Sequence, residues 1–170
     1  TSVSARMPAA GVLSNTPPWI LGPDARYLFQ DADVGFAVSF SNLRDLNFSP
    51  LHGVPPDSKI AAHAMNSSGS QIALGDTQGR MFVVDTSNNE VRQLSGPVGS
   101  RVTWMAYSED DAWVAAVRRD GSTFAFDAET GIAVNAGLMQ CEFEPLHVQF
   151  SHRARVLVAS GERGVAVCRP

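Results

Sequence analysis

Two stretches decide the fold: residues 60–86, IAAHAMNSSGSQIALGDTQGRMFVVDT, and residues 102–128, VTWMAYSEDDAWVAAVRRDGSTFAFDA. They register without a gap at an offset of 42 residues. Ile60 falls above Val102, Met65 above Tyr107, Ile72 above Val114, Phe82 above Phe124 and Val84 above Phe126. Gly79 falls above Gly121 and Asp85 above Asp127, so the turn residues repeat together with the apolar columns. Self-similarity at a fixed period of this size marks a repeat architecture. The template extends both ways. Downstream, VQFSHRARVLVASGERGVAV places Gly164 under Gly121 at an offset of 43, and upstream WILGPDARYLFQDADVGFAVSFSN places Gly35 under Gly79 at 44. Four units result.

Inside a unit the pattern is short strands separated by turns. Val102–Tyr107 alternates as a half-buried strand, and Ser108-Glu109-Asp110-Asp111 is a turn cluster. Trp113–Val117 is a continuous apolar run, as expected of a strand covered on both faces. Arg118–Gly121 makes the next tight turn, where glycine supplies a positive φ. Ser122–Phe126 is the third strand, Asp127–Gly131 a further turn, and Ile132–Ala136 the outer strand. No segment has a capped helical period. The expected class is all-β.

Four strands in a little over forty residues, repeated, resembles the blade of a β-propeller, and the residues point to the WD40-like repeat family. Leu21-Gly22-Pro23-Asp24-Ala25-Arg26-Tyr27-Leu28 is similar to that family's first turn and second strand. Val102-x-x-Met105-x-Tyr107-Ser108 resembles its first strand, and Val148-x-Phe150-Ser151 repeats part of it. Asp76-Thr77-Gln78-Gly79 and Arg119-Asp120-Gly121 stand where the family has its inner hairpin turn, and Val84-Asp85 and Phe126-Asp127 where it has its Trp-Asp pair. No unit holds a true Trp-Asp, and no Gly-His opens one, so the blades are divergent. The resemblance implies about four WD40-like four-stranded antiparallel blades, near residues 16–53, 59–95, 101–138 and 145–170. The last is expected to be incomplete, reaching its third strand at Cys168. Residues 1–15 form an N-terminal extension, and Thr1–Leu13 is available as a closing outer strand. Gly35, Gly79, Gly121 and Gly164, with Asp85 and Asp127, are the expected turn residues.

Composition narrows the function. The 170 residues are 44% hydrophobic and 18% charged, a globular mix, with a formal net charge of −4. That balance argues against nucleic acid, which needs a basic footprint. Lys59 is the lone lysine, an arginine bias that composition explains as well as binding does. No apolar run approaches the roughly 20 residues of a membrane helix. The opening TSVSARMPAAGVLSNTPP has no signal-like apolar core, so an intracellular, cytoplasmic protein is expected.

Chemistry is sparse. His52, His63, His147 and His152 form no metal motif, and His63 falls at an inward strand position. Cys141 and Cys168 match neither a disulfide scaffold nor a reactive-thiol context. Glu142 and Glu144 could share one face of an extended segment, yet paired carboxylates need a pocket to act. Gly161-Glu162-Arg163-Gly164 is explained by a hairpin turn, and no nucleophile elbow occurs. Trp19, Trp104 and Trp113 read as packing residues. No catalytic residue, metal or cofactor is expected.

Arginine is concentrated late in the chain, with Arg153, Arg155, Arg163 and Arg169 against Glu162 between 145 and 170. Arg118-Arg119 occupies the turn corresponding to Glu162-Arg163, and Asp76 and Gln78 the turn before it. These six residues, Asp76, Gln78, Arg118, Arg119, Glu162 and Arg163, form the candidate binding face for a protein or peptide. The expected function is a non-enzymatic interaction scaffold, completed by further blades from the same or another chain. The alternatives are a propeller-type enzyme with a metal or cofactor in its channel, or weak nucleic-acid binding through the arginine turns.

Overall fold

The computed structural model describes residues 19–21, 27–30, 35–42, 45–50, 53–140, 143, 147–151 and 156–168. Thr1–Leu13, Cys141, Glu142, Glu144, His52 and His152 lie outside the described residues. The described residues are strands and turns, with no helix among them. They form four antiparallel sheets in which each strand pairs with its neighbour in sequence.

Sheet I contains β1 (Trp19–Leu21), β2 (Tyr27–Gln30), β3 (Gly35–Asn42) and β4 (Asp45–Pro50). Sheet II contains β5 (Ile60–Met65), β6 (Gln71–Asp76), β7 (Met81–Asp85) and β8 (Val91–Gln93). Sheet III contains β9 (Val102–Tyr107), β10 (Trp113–Arg118), β11 (Ser122–Asp127) and β12 (Ala133–Gln140). Sheet IV contains β13 (His147–Ser151), β14 (Val156–Gly161) and β15 (Gly164–Cys168). The outer strand of sheet III runs beyond the expected Ala136. Register shifts in the β11–β12 ladder let Met139 and Gln140 pair with Thr123 and Ser122.

Sheets II, III and IV stack face to face. Period-two alternation sends successive residues of one strand into different cores. Along β6 and β7, Ala73, Met81 and Val83 join a core shared with sheet III, whereas Ile72, Leu74, Phe82 and Val84 line the opposite face. Along β10, Val114 and Ala116 face sheet II, whereas Ala115 and Val117 pack with Val148, Leu157 and Ala159 of sheet IV. Burial on both faces is why these runs read as continuously apolar. The first strands lie side by side, β9 between β5 and β13. Repeated antiparallel sheets stacked through their faces, with first strands adjacent, are consistent with a β-propeller-like fold.

Close approach between sheets II and III depends on Gly75. A Cβ there would stand 2.4 Å from a methyl of the buried Val102, so only glycine lets β6 and β9 meet. Polar contacts reinforce the stack. The Ser67 N–H and hydroxyl donate to the two Asp111 oxygens at 2.8 and 2.7 Å. Arg92 Nη2 donates to the Ala128 carbonyl at 2.6 Å, and Ser95 Oγ to the Gly131 carbonyl at 3.0 Å.

Candidate functional site

The turn after the second strand of sheets II, III and IV gathers the residues singled out from the sequence. In sheet II the turn is built on Asp76. The β5–β6 ladder slips between Ile60 and Ala62, and a bulge of this kind re-aims the residue beside it. Asp76 is fully buried. Its Oδ1 accepts the N–H groups of Gln78 and Arg80 at 2.9 and 2.8 Å, and its Oδ2 accepts Arg80 Nε at 2.5 Å. Arg80 then reaches Asp57 at 3.1 and 3.2 Å, and Gln78 Nε2 donates to the same carboxylate at 3.2 Å. The Arg80 hydrogen bond, with help from Gln78, holds the Asp57 carboxyl below its ordinary pKa against a smaller opposing effect of desolvation. Charge inside the turn is thus paired and directed inward.

Sheet III repeats the backbone with a different charge. The β9–β10 ladder slips at the corresponding place, between Val117 and Arg118. Arg118 is only 3% exposed, and its guanidinium carbon lies 4.5 Å from the centroid of the Phe124 ring. Its Nη2 donates to the carbonyls of Gly79 and Pro97, the first at 2.8 Å. Sheet III is therefore tied to the turn of sheet II and to the linker between them. Burial pulls the Arg118 pKa down, while Asp120 and Asp76 pull it up by charge. Asp120 accepts the Ser122 N–H and hydroxyl at 3.0 and 2.6 Å. Desolvation pushes its carboxyl up, but the Ser122 bonds, joined by Ser100 and the Arg118 charge, hold it below the ordinary value.

The linker threads between the two turns. Gly99 N–H donates to the Gln78 carbonyl at 3.3 Å, Asp120 N–H to Ser100 Oγ at 3.2 Å and Arg119 N–H to the Arg101 carbonyl at 2.9 Å. Gly79 has φ of +81°, and a Cβ on it would stand 2.6 Å from the Ser100 carbonyl oxygen. Around this base Gln78, Pro97, Arg101 and Arg119 are exposed, and Val98 is 65% exposed.

The six expected binding residues therefore divide. Gln78, Arg119, Glu162 and Arg163 are exposed on turns, whereas Asp76 and Arg118 are buried. As surface contacts those two are corrected: a buried charge bonded to backbone organises a turn and is not offered to a partner. Val98, Pro97 and Arg101 belong to this surface and were missed, because nothing in the repeat alignment weighs a linker. Among the turn residues, Gly121 has φ of +83°, Gly35 opens β3 opposite Gln30, and Gly164 opens β15 opposite Gly161. Asp85 accepts the Ser87 N–H at 2.7 Å, and Asp127 accepts the N–H groups of Glu129 and Thr130 at 3.1 and 2.7 Å. The Thr130 N–H and hydroxyl are the main reason the Asp127 carboxyl lies below its ordinary pKa.

His63 is half-buried on β5 opposite Leu74, and desolvation lowers its pKa. Among the described residues no group of three or more His, Cys, Asp or Glu is placed to hold a metal ion. None of the described residues forms a helix long and apolar enough to cross a membrane.

No family model matches the chain, and no curated protein matches it in sequence. Solved structures do resemble it. Hydrazine synthase from Kuenenia stuttgartiensis superposes with a TM-score of 0.66 at 14% identity. The match covers 96% of this chain and 48% of that one, so this chain spans about half the length of its structural relative. At that identity the likeness is one of fold alone.

Proposed function

We propose that the chain is a non-enzymatic, intracellular interaction scaffold of WD40-like type. Its sheets are read as propeller blades, about four in number, and its recognition surface as the turn end of sheets II and III. One observation carries the reading. Exposed Pro97 and Val98 sit among Gln78, Arg101 and Arg119, on a linker that the buried Arg118 and the neighbouring turns hold in place. An apolar step bordered by guanidinium and amide donors, on a preorganised base, suits an extended peptide with apolar and acidic side chains.

Selection from a random peptide library tests this, with the variant carrying Val98→Asp and Arg119→Glu as counter-target. Peptides alternating apolar and acidic residues should be enriched on the native surface and lost on the variant. Equal enrichment on both proteins contradicts the reading. Loss of fold in the variant would show by circular dichroism; Arg119→Glu alone then serves as the counter-target.

A further inference from the structure

The surface around Val98 has two flanks of different charge chemistry, and a run of hydrogen bonds gives their order. On the sheet II flank, Gln78 Nε2 donates to the Asp57 carboxylate at 3.2 Å, and the Gln78 carbonyl accepts the Gly99 N–H at 3.3 Å. On the sheet III flank, Ser100 Oγ accepts the Asp120 N–H at 3.2 Å, and the Arg101 carbonyl accepts the Arg119 N–H at 2.9 Å. The linker carrying Val98 runs between them, with Asp57 to one side and Arg101 and Arg119 to the other. The Asp57 side chain is 59% exposed. Arg80 lies between two carboxylates, and a single guanidinium that neutralises the buried Asp76 leaves the charge of Asp57 in excess. Two hydrogen bonds from Arg80 and one from Gln78 leave room for a further donor on a carboxylate, which has about four acceptor sites. Lys59 is exposed on the same flank, so recognition there is by the Asp57 oxygens at contact and not by net charge.

We infer that Asp57 is a specificity-determining residue of this surface, taking a lysine or arginine of the bound peptide on the far side of its apolar residue from its acidic one. The inference rests on the peptide-binding reading above and adds a third element to the ligand. Alternate side chains of an extended peptide share one face. Acidic, apolar and basic residues at every second position therefore meet the arginine flank, Val98 and Asp57 in turn. The peptide's ammonium or guanidinium donates to an Asp57 oxygen in a charge-assisted bond. A peptide with an acid in that place meets a like charge instead, so the surface fixes the order of the three.

Selection from a random peptide library on the native chain and on Asp57→Asn, which keeps an acceptor for Arg80, is the test. On the native chain, lysine or arginine should be enriched two positions from the apolar residue, on the side away from the acidic one. On Asp57→Asn that enrichment should vanish while the acidic and apolar positions keep theirs. For one selected peptide, replacing the basic residue by alanine should weaken binding to the native chain about two- to fivefold, as expected of an exposed ion pair, and leave binding to Asp57→Asn unchanged. Should Asp57→Asn fail to fold by circular dichroism, the native chain decides alone: glutamate at the basic position should weaken binding more than alanine does. Acidic and apolar enrichment with no basic preference overturns the inference, as do equal losses for alanine and glutamate or an equal loss of every peptide on Asp57→Asn. Each of these leaves the scaffold reading standing, whereas a library in which no peptide is enriched overturns both.

Discussion

The β6–β7 turn and the β10–β11 turn share one backbone and fasten it in opposite ways. Each follows a slip in its ladder, and each holds a glycine at φ near +80°. Each begins with a buried charge at the same place in the repeat, an aspartate in one and an arginine in the other. Asp76 turns into its own hairpin, accepting two backbone N–H groups and Arg80. Arg118 turns outward to the previous sheet, donating to the Gly79 and Pro97 carbonyls. The apolar columns set the backbone, and the charge at one position decides what it is fastened to. A carboxylate suits clustered N–H donors within a tight turn, and a long guanidinium can bridge to carbonyls on another element.

What the turns share should be costliest to lose. Phe126→Ala empties the core between sheets II and III and is expected to cost about 3–5 kcal/mol by urea titration. Next come the two charges. Asp76→Ala strips Arg80 of its buried partner and leaves two turn N–H groups unmet, about 2–3 kcal/mol, since Arg80 keeps Asp57. Arg118→Ala should cost a comparable amount while also loosening residues 95–101, seen as faster hydrogen exchange at Gly99 and Arg119; Asp76→Ala should spare Arg119.

The glycines sharpen the contrast. Gly121→Ala forces a side chain into the left-handed region, about 1–2 kcal/mol. Gly79→Ala incurs the same strain and also drives a Cβ against the Ser100 carbonyl, so its loss of stability should be the greater of the two. Equal losses would mean that the linker yields freely.

The smallest effect is with pH. Asp57, Asp120 and Asp127 all have depressed carboxyl pKa values in the fold. Their contribution is therefore complete above the unfolded carboxylate range and is lost as pH falls through the folded values. Urea midpoints should hold steady down to about pH 5 and decline below about pH 4. Asp127→Asn should flatten that decline slightly.

Much of the fold was legible because the apolar columns and turn glycines recur at one period. β9 was readable to the residue and β10 and β11 to within one, since strand length and turn chemistry are local properties. The fate of the charges was not local. Asp76 and Arg118 fall in one alignment column at the end of an apolar run, which was a signal of burial. Their exposure, however, depends on a linker and a neighbouring sheet that folding brings beside them. Trp113 shows the same limit. It reads as buried from its place at the head of β10 yet is half-exposed, at the end of the ladder opposite Asp127. The exposed Val98 lies between repeats and belongs to no column.

The central claim is that neighbouring sheets share one core and one stability. Native-state hydrogen exchange of Phe126→Ala tests it most directly, because the substitution lies wholly in sheet III. If sheets II and III unfold together, the amides of β6 and β7 should lose as much protection as those of β10 and β11. Loss confined to β9–β12, with β6 and β7 at native protection, would contradict the account.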